Sequence, residues 1–222
     1  MNEMSPFTLV TGGARSGKSH FAELLAAQPK RPVIYIATAQ IWDEEMALRV
    51  KRHQQQRPST WRLIEEPHNI RDTLLQLKDE DAVILLDCVT LWLTNLLLAG
   101  HAEQARRAEQ NTPSGPSEED FPLNLQNDNN HIYTQVEPQI LTTVQEVARL
   151  AHEIKPAVIF VTNEVGQGIV PENPLSRAYR DLAGRSNQIL AHSADHVYMV
   201  VAGFPLEIKQ SGERLLASLL KE

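Results

Sequence analysis

The sequence predicts an α/β protein with a mostly parallel sheet flanked by helices. Three features carry that prediction: short apolar runs rich in Val and Ile, helical patterns between those runs, and a glycine-rich turn where the first run meets the first helix. The runs are Phe7–Thr11, Val33–Ala37, Ala82–Asp87, Ala157–Thr162 and His196–Ala202. Each is continuous rather than alternating, as expected of strands covered on both faces.

Taken in order, the first strand leads into a helix over Lys18–Ala27, which carries Phe21, Leu24 and Leu25. After the second strand, Glu44–Gln54 carries Met46, Val50 and His53 at helical spacing. The segment Ala82–Gly100 approaches the length of a membrane span. Asp87, Thr90, Thr94 and Asn95 interrupt it, and a charge at mid-span costs at least ~2.5 kcal/mol, so it reads as a buried strand running into an amphipathic helix. His101–Asn130, rich in Pro, Ser, Asn and Gln, fits no element and reads as a mobile surface insertion within a single domain covering residues 1–222. Gln139–Ile154 presents Ile140, Val144, Val147, Ala151 and Ile154 as an apolar stripe, with Pro138 as helix starter. Leu175–Ala194 is a further long helical pattern, with Gly184 its weak point.

Composition narrows the function classes. The 222 residues carry a net charge of −7, which argues against a protein that grips nucleic-acid backbones. A single cysteine, Cys88, excludes an internal disulfide and a thiolate zinc site. With no secretory or transit signal read at the start of the chain, the expectation is a soluble cytoplasmic protein.

Gly12-Gly13-Ala14-Arg15-Ser16-Gly17-Lys18-Ser19 matches G-x-x-x-x-G-K-[ST] between a strand and a helix, the context that motif requires. Glycines let successive N–H groups curl around a triphosphate, and the helix N-terminus adds the positive end of its dipole. Lys18 is expected on the β and γ phosphates and the Ser19 hydroxyl on Mg²⁺. Asp87, at the end of its strand, is the candidate acid for the Mg²⁺ shell, the alternative being a cap on the following helix. Glu164 is a second strand-end acid, suited to position water or a substrate hydroxyl, whereas Asp195 at a strand start reads as structural.

His53 lies among Arg49, Arg52 and Arg57. Guanidiniums around an imidazole favour its neutral, nucleophilic form and hold a phosphate within reach. From residues alone, a solvated histidine at a helix end is the favoured reading. The remaining histidines show no metal-pair spacing.

The blocks TGGARSGKS, IAT, DEEMALRVKRHQQQRPSTW, EEP, LLDCVTLWLTNLL, VTNEVGQGIVPENPLSRAYRDLAGRSNQ and VVAGFPLEIK stand in the order found in one family. The chain resembles the bifunctional adenosylcobinamide kinase / adenosylcobinamide-phosphate guanylyltransferases of cobalamin assembly, from Phe7 to Lys209. The resemblance implies a P-loop nucleotide-binding fold of the RecA-like kind. It implies that His53 carries GMP covalently, and that Gly12–Ser19, Ala37, Thr38, Ala39, Gln54, Gln55, Gln56, Arg57, Glu65 and Asp87 line the nucleotide site. Asp87 stands where some relatives carry Glu. It further implies GTP and ATP as substrates, a corrinoid acceptor (adenosylcobinamide and its phosphate) and a homotrimer. Arg177, Arg180, Asp181, Arg185 and Asn187 form a polar helix face, either solvated or suited to phosphate or corrinoid amides. Two rival readings are a monofunctional P-loop kinase without a covalent intermediate and a nucleotide-driven switch.

Overall fold

The computed structural model describes residues 6–40, 58–110 and 130–220. The strands are β1 (Phe7–Thr11), β2 (Val33–Ala37), β3 (Arg62–Glu65), β4 (Val83–Asp87), β5 (Ala157–Val161), β6 (His196–Val201) and β7 (Phe204–Glu207). The helices among the described residues are α1 (Lys18–Ala27), α2 (Ile70–Gln76), α3 (Val89–Gln110), α4 (Asn130–Glu153), α5 (Pro174–Ser193) and α6 (Lys209–Leu219). The strands form one sheet in the order β3-β2-β4-β5-β1-β6-β7. All neighbours pair in parallel except β6 and β7. Thus β5 lies between β1, which feeds the glycine-rich turn, and the acid-bearing β4, the RecA-like arrangement expected from the sequence.

The apolar runs are continuous because alternate residues feed two separate cores. Phe7, Leu9, Ile36, Ile84, Leu86 and Phe160 point to one face, under α2, α3, α4 and α5. Val10, Val33, Tyr35, Val83, Leu85 and Val161 point to the other, against Ala22 and Ala26 of α1. Phe7 meets Phe160 edge-on in the first core, with ring centroids 5.1 Å apart.

Several elements depart from the sequence reading. β3 and β7 carry no strong apolar run; they are four-residue edge strands, largely exposed, and Pro205 in β7 is tolerated because an edge strand need not donate on both sides. Ala202 and Gly203, at φ 51° and 87°, supply the two left-handed residues of a tight hairpin between β6 and β7. Ile70, Leu74 and Leu77 bury at helical spacing along α2 and its end, which the sequence reading passed over. Pro138 does not start its helix but lies inside it. The turn ahead of it persists because Val136 is buried and Glu137 pairs with Arg185 at 2.8 Å. A side chain at Gly100 would collide with Val136, so that glycine lets α3 and α4 approach. His101–Gln110 is likewise not structureless: it continues α3, with Arg107 paired to Glu103 at 2.9 Å. The expected helix Glu44–Gln54 lies outside the described residues.

Candidate nucleotide site

The chemistry gathers at the carboxyl ends of the parallel strands, where helix N-termini and loops converge. Strand register pairs Glu65 with Ala37, Ala37 with Asp87 and Asp87 with Val161, which in turn pairs with Val10 of β1. Side chains opposite one another in register share a face. Ala37 follows Tyr35 by two and Asp87 follows Leu85 by two, so Glu65, Ala37 and Asp87 form one row on the face covered by α1. The helix that packs on this face begins at Lys18, so loop and row meet at the same edge and on the same side.

The loop Gly12–Ser19 is braced from two directions. On one side, the Gly203 N–H donates to the Ser16 carbonyl at 2.8 Å; on the other, the Glu164 N–H donates to the Gly12 carbonyl at 3.1 Å. Gly12 has no room for a side chain: a Cβ would lie 2.5 Å from the Val200 carbonyl oxygen and 2.6 Å from Ser16 Oγ. Gly17, at φ 95°, takes a left-handed conformation, and a Cβ there would press on Gly203 at 3.2 Å. Gly13, Ala14 and Arg15 form the exposed mouth. Lys18 is 92% buried by its relative exposure of 8%, and its Nζ donates to the Gly13 carbonyl at 3.1 Å, folding the cation back over the loop. Ser16 Oγ is buried without a hydrogen-bond partner among the described residues. A curled backbone, a cation held at its centre and an orphaned hydroxyl suit a polyphosphate.

Asp87 Oδ2 accepts a hydrogen bond from the Tyr35 hydroxyl at 3.1 Å, and the Tyr35 ring stacks on Trp61. Ser19, half-buried in the first turn of α1, and Asp87 offer a hydroxyl and a carboxylate, the hard oxygen donors that Mg²⁺ takes. No group of three or more His, Cys, Asp or Glu that could hold a metal occurs among the described residues. Next to Asp87, Cys88 is buried; burial pushes its thiol up to about 11, the Asp87 carboxylate adds to the rise and Lys18 opposes it. It is an inert core thiol.

Other expected residues do different work. Thr38 is fully buried; its Oγ1 donates to the Cys88 carbonyl at 2.7 Å and accepts from the Cys88 N–H at 3.0 Å, while Asn95 Nδ2 donates to its carbonyl at 2.8 Å. Its side chain therefore ties the end of β2 to the end of β4. Ala37 and Ala39 stay partly accessible beside it, and Glu65 is exposed on the edge strand. His53, Gln54, Gln55, Gln56 and Arg57 lie outside the described residues. Along α5, the polar face is taken up structurally: Arg177 donates to the carbonyls of Pro171 and Glu172, Arg180 pairs with Asp181, Arg185 with Glu137, and Asn187 Nδ2 donates to the Asn163 carbonyl. Asp195 is structural as expected, accepting from the Phe7 N–H at 3.0 Å and lying 3.0 Å from His152 Nε2.

Sequence reasoning missed the residues that brace the site. Asn163 Nδ2 donates to Thr90 Oγ1 at 2.8 Å, Cys88 Sγ lies 3.0 Å from the same hydroxyl, and the Tyr179 hydroxyl donates to the Thr90 carbonyl at 3.0 Å. Burial pushes the Tyr179 phenol up to about 12, so it remains a donor throughout the physiological range. Tyr35 sits in a run that read only as buried strand, and nothing in that run marks its hydroxyl as an Asp87 partner.

The chain is 43% identical over 203 residues to the bifunctional adenosylcobalamin biosynthesis protein CobU of Salmonella typhimurium, covering 90% of this chain and 98% of that one. It is 40% identical to the protein of the same name from Escherichia coli, again over 90% and 98%. Among solved structures, a type III secretion ATPase aligns with a TM-score of 0.48 at 11% identity, covering 95% of this chain and 54% of that one. A family model described as cobinamide kinase / cobinamide phosphate guanyltransferase matches residues 8–208, and with relatives at 40% identity or more over nearly their whole length, the chain belongs to that family.

Proposed function

We propose that this domain performs both reactions of its family on one corrinoid. In the first, the terminal phosphoryl group of ATP or GTP passes to the hydroxyl of adenosylcobinamide. In the second, His53 attacks the α-phosphorus of GTP, pyrophosphate leaves, and GMP remains on the imidazole. The phosphate made in the first reaction then attacks that GMP, giving adenosylcobinamide-GDP.

The observation that carries the nucleotide assignment is the shared edge and face of the glycine-rich loop and the Glu65–Ala37–Asp87 row. Loop amides and Lys18 bind the β and γ phosphates and offset the charge that spreads over the transferred group. Ser19 and Asp87 hold Mg²⁺, which when bound neutralises phosphate charge. Ala37, Ala39, Glu65 and the Gln54–Arg57 segment flank the rest of the guanine nucleotide. The acceptor is a corrinoid, and the enzyme works in the cytoplasm as a homotrimer. Support for self-association comes from the apolar surface of β7 and α6, where Phe204, Leu206, Leu216 and Leu220 are all exposed.

Incubation with GTP labelled at the α-phosphate tests the covalent step. The expected result is label on the protein, labile in acid and stable in base, absent with γ-labelled GTP and absent from His53→Ala. Binding of nucleotide with no α-label would leave a monofunctional kinase.

A further inference from the structure

The kinase reaction needs a proton acceptor that neither the loop nor the Mg²⁺ ligands supply. As the acceptor hydroxyl bonds to the γ-phosphorus, its proton must leave, and a carboxylate at the mouth of the loop is suited to receive it. Described carboxylates at this edge of the sheet are few. Asp87 is engaged by the Tyr35 hydroxyl and suits the cation. Glu65 belongs to β3, separated from β1 by β2, β4 and β5. Glu164 follows β5, the immediate neighbour of β1, and its own N–H is bonded to the first residue of the loop at 3.1 Å.

We propose that Glu164 is the general base of the phosphoryl-transfer step, receiving the proton of the corrinoid hydroxyl. Its carboxylate is oriented on one side and open on the other. Oε1 accepts from the Gly166 N–H at 2.7 Å, whereas Oε2 makes no hydrogen bond among the described residues, and the residue is only half-buried. The backbone beneath it is held rigidly. The Thr162 N–H donates to the Val10 carbonyl at 2.9 Å, Asn187 Nδ2 to the Asn163 carbonyl at 3.0 Å, and Asn163 Nδ2 to Thr90 at 2.8 Å. A base on such a frame keeps its place relative to the loop without reorganisation during the reaction. Just beyond it, Ile169 and Val170 are 96% and 60% exposed, an apolar lip against which a macrocycle can rest while its hydroxyl reaches inward.

The step balances without a further reactant. The hydroxyl oxygen forms a bond to the γ-phosphorus. The bond from that phosphorus to the β–γ bridging oxygen breaks, its electron pair staying with the nucleoside diphosphate. The proton goes to Glu164 and returns to water after product release.

This inference rests on the kinase reading above, and one experiment separates the two. Kinase turnover with adenosylcobinamide is measured for wild type, Glu164→Gln and Glu164→Asp, alongside the affinity of each for a non-hydrolysable nucleotide and its Tm. The expected result is a kcat about 100-fold lower in Glu164→Gln, with nucleotide affinity and KM within twofold of wild type, and partial recovery in Glu164→Asp. A Glu164→Gln enzyme within threefold of wild-type kcat overturns the assignment, as does a loss that follows weakened nucleotide binding, which would make Glu164 a brace for the loop. If Glu164→Gln does not fold, Glu164→Asp carries the test: a lowered kcat with nucleotide affinity and KM near wild type supports the base, and a wild-type kcat overturns it. A wild-type protein that phosphorylates no corrinoid would instead sink the kinase reading itself.

Discussion

On one face of the sheet, α2, α3, α4 and α5 close over Ile36, Ile84, Leu86 and Phe160 and bury Trp92 completely. On the other, α1 packs on Val10, Tyr35, Leu85 and Val161, with only Leu91 from the first turn of α3 beside it among the described residues. The residues assigned to nucleotide chemistry (Lys18, Ser19, Asp87 and Glu65) belong to this thinly covered side. A polyphosphate must enter from water and leave again, so the side that receives it cannot be sealed by four helices. The thick face supplies the stability that holds the strand ends in register. The thin face uses that register to align loop and acids. Separating the two jobs lets a loop that depends on the left-handed Gly17 persist without weakening the core.

The sharpest way to break this comparison is to weaken the thick face and ask whether the chemistry notices. Trp92→Ala removes a fully buried indole, the largest fully buried side chain among the described residues, and leaves the His68 carbonyl without the donor now 2.9 Å away. The expected cost is about 3–5 kcal/mol, a fall in Tm on the order of 10 °C, with kcat of the folded fraction within about twofold of wild type. Calorimetry and turnover on the same preparation check both halves. A Trp92 variant that kept its Tm but lost turnover would show that the two faces are not separate in function. The converse variant, Lys18→Ala, is expected to lower kinase turnover roughly 10²–10³-fold, because a preorganised cation at the transferred phosphate is gone, while Tm shifts by no more than about 3 °C. Equal losses in stability and turnover would make Lys18 a structural strut for Gly13 instead.

How much of this was legible depends on how local each feature is. The loop Gly12–Ser19 is a run of residues whose backbone needs are written in consecutive glycines, so its chemistry is readable directly. The central strands are readable because burial on both faces makes them apolar without interruption. β3 and β7 escape the same reading because edge strands are half-exposed and short. The continuation of α3 through His101–Gln110 escapes it because a solvated helix turn needs no apolar stripe, and its polar composition matches that of a loop. Least legible are contacts set by register between distant segments. Tyr35 reaches Asp87 across 52 positions of sequence, and Glu164 reaches Gly12 only because β5 inserts beside β1. The resemblance that identified His53 concerns a segment outside the described residues, so that assignment still stands on sequence.

Tyr35 gives the finest test of the comparison, since it belongs to the thin-face core and to the site at once. Its ring packs among Val33, Leu85 and Ala26 and stacks on Trp61, whereas its hydroxyl donates to Asp87 at 3.1 Å. Tyr35→Phe keeps the ring and deletes the donor. A hydrogen bond to a carboxylate is worth about 1 kcal/mol net, and here it fixes the direction in which Asp87 presents its oxygens. The expected outcome is a rise of roughly 3- to 10-fold in the Mg²⁺ concentration that half-saturates binding of a fluorescent nucleotide, with metal-free nucleotide affinity and Tm nearly unchanged. A lowered Tm with an unchanged Mg²⁺ requirement would assign the hydroxyl to packing alone. The shift in the Mg²⁺ requirement, without a shift in stability, would mean that even the core of the thin face is shaped around the phosphate site.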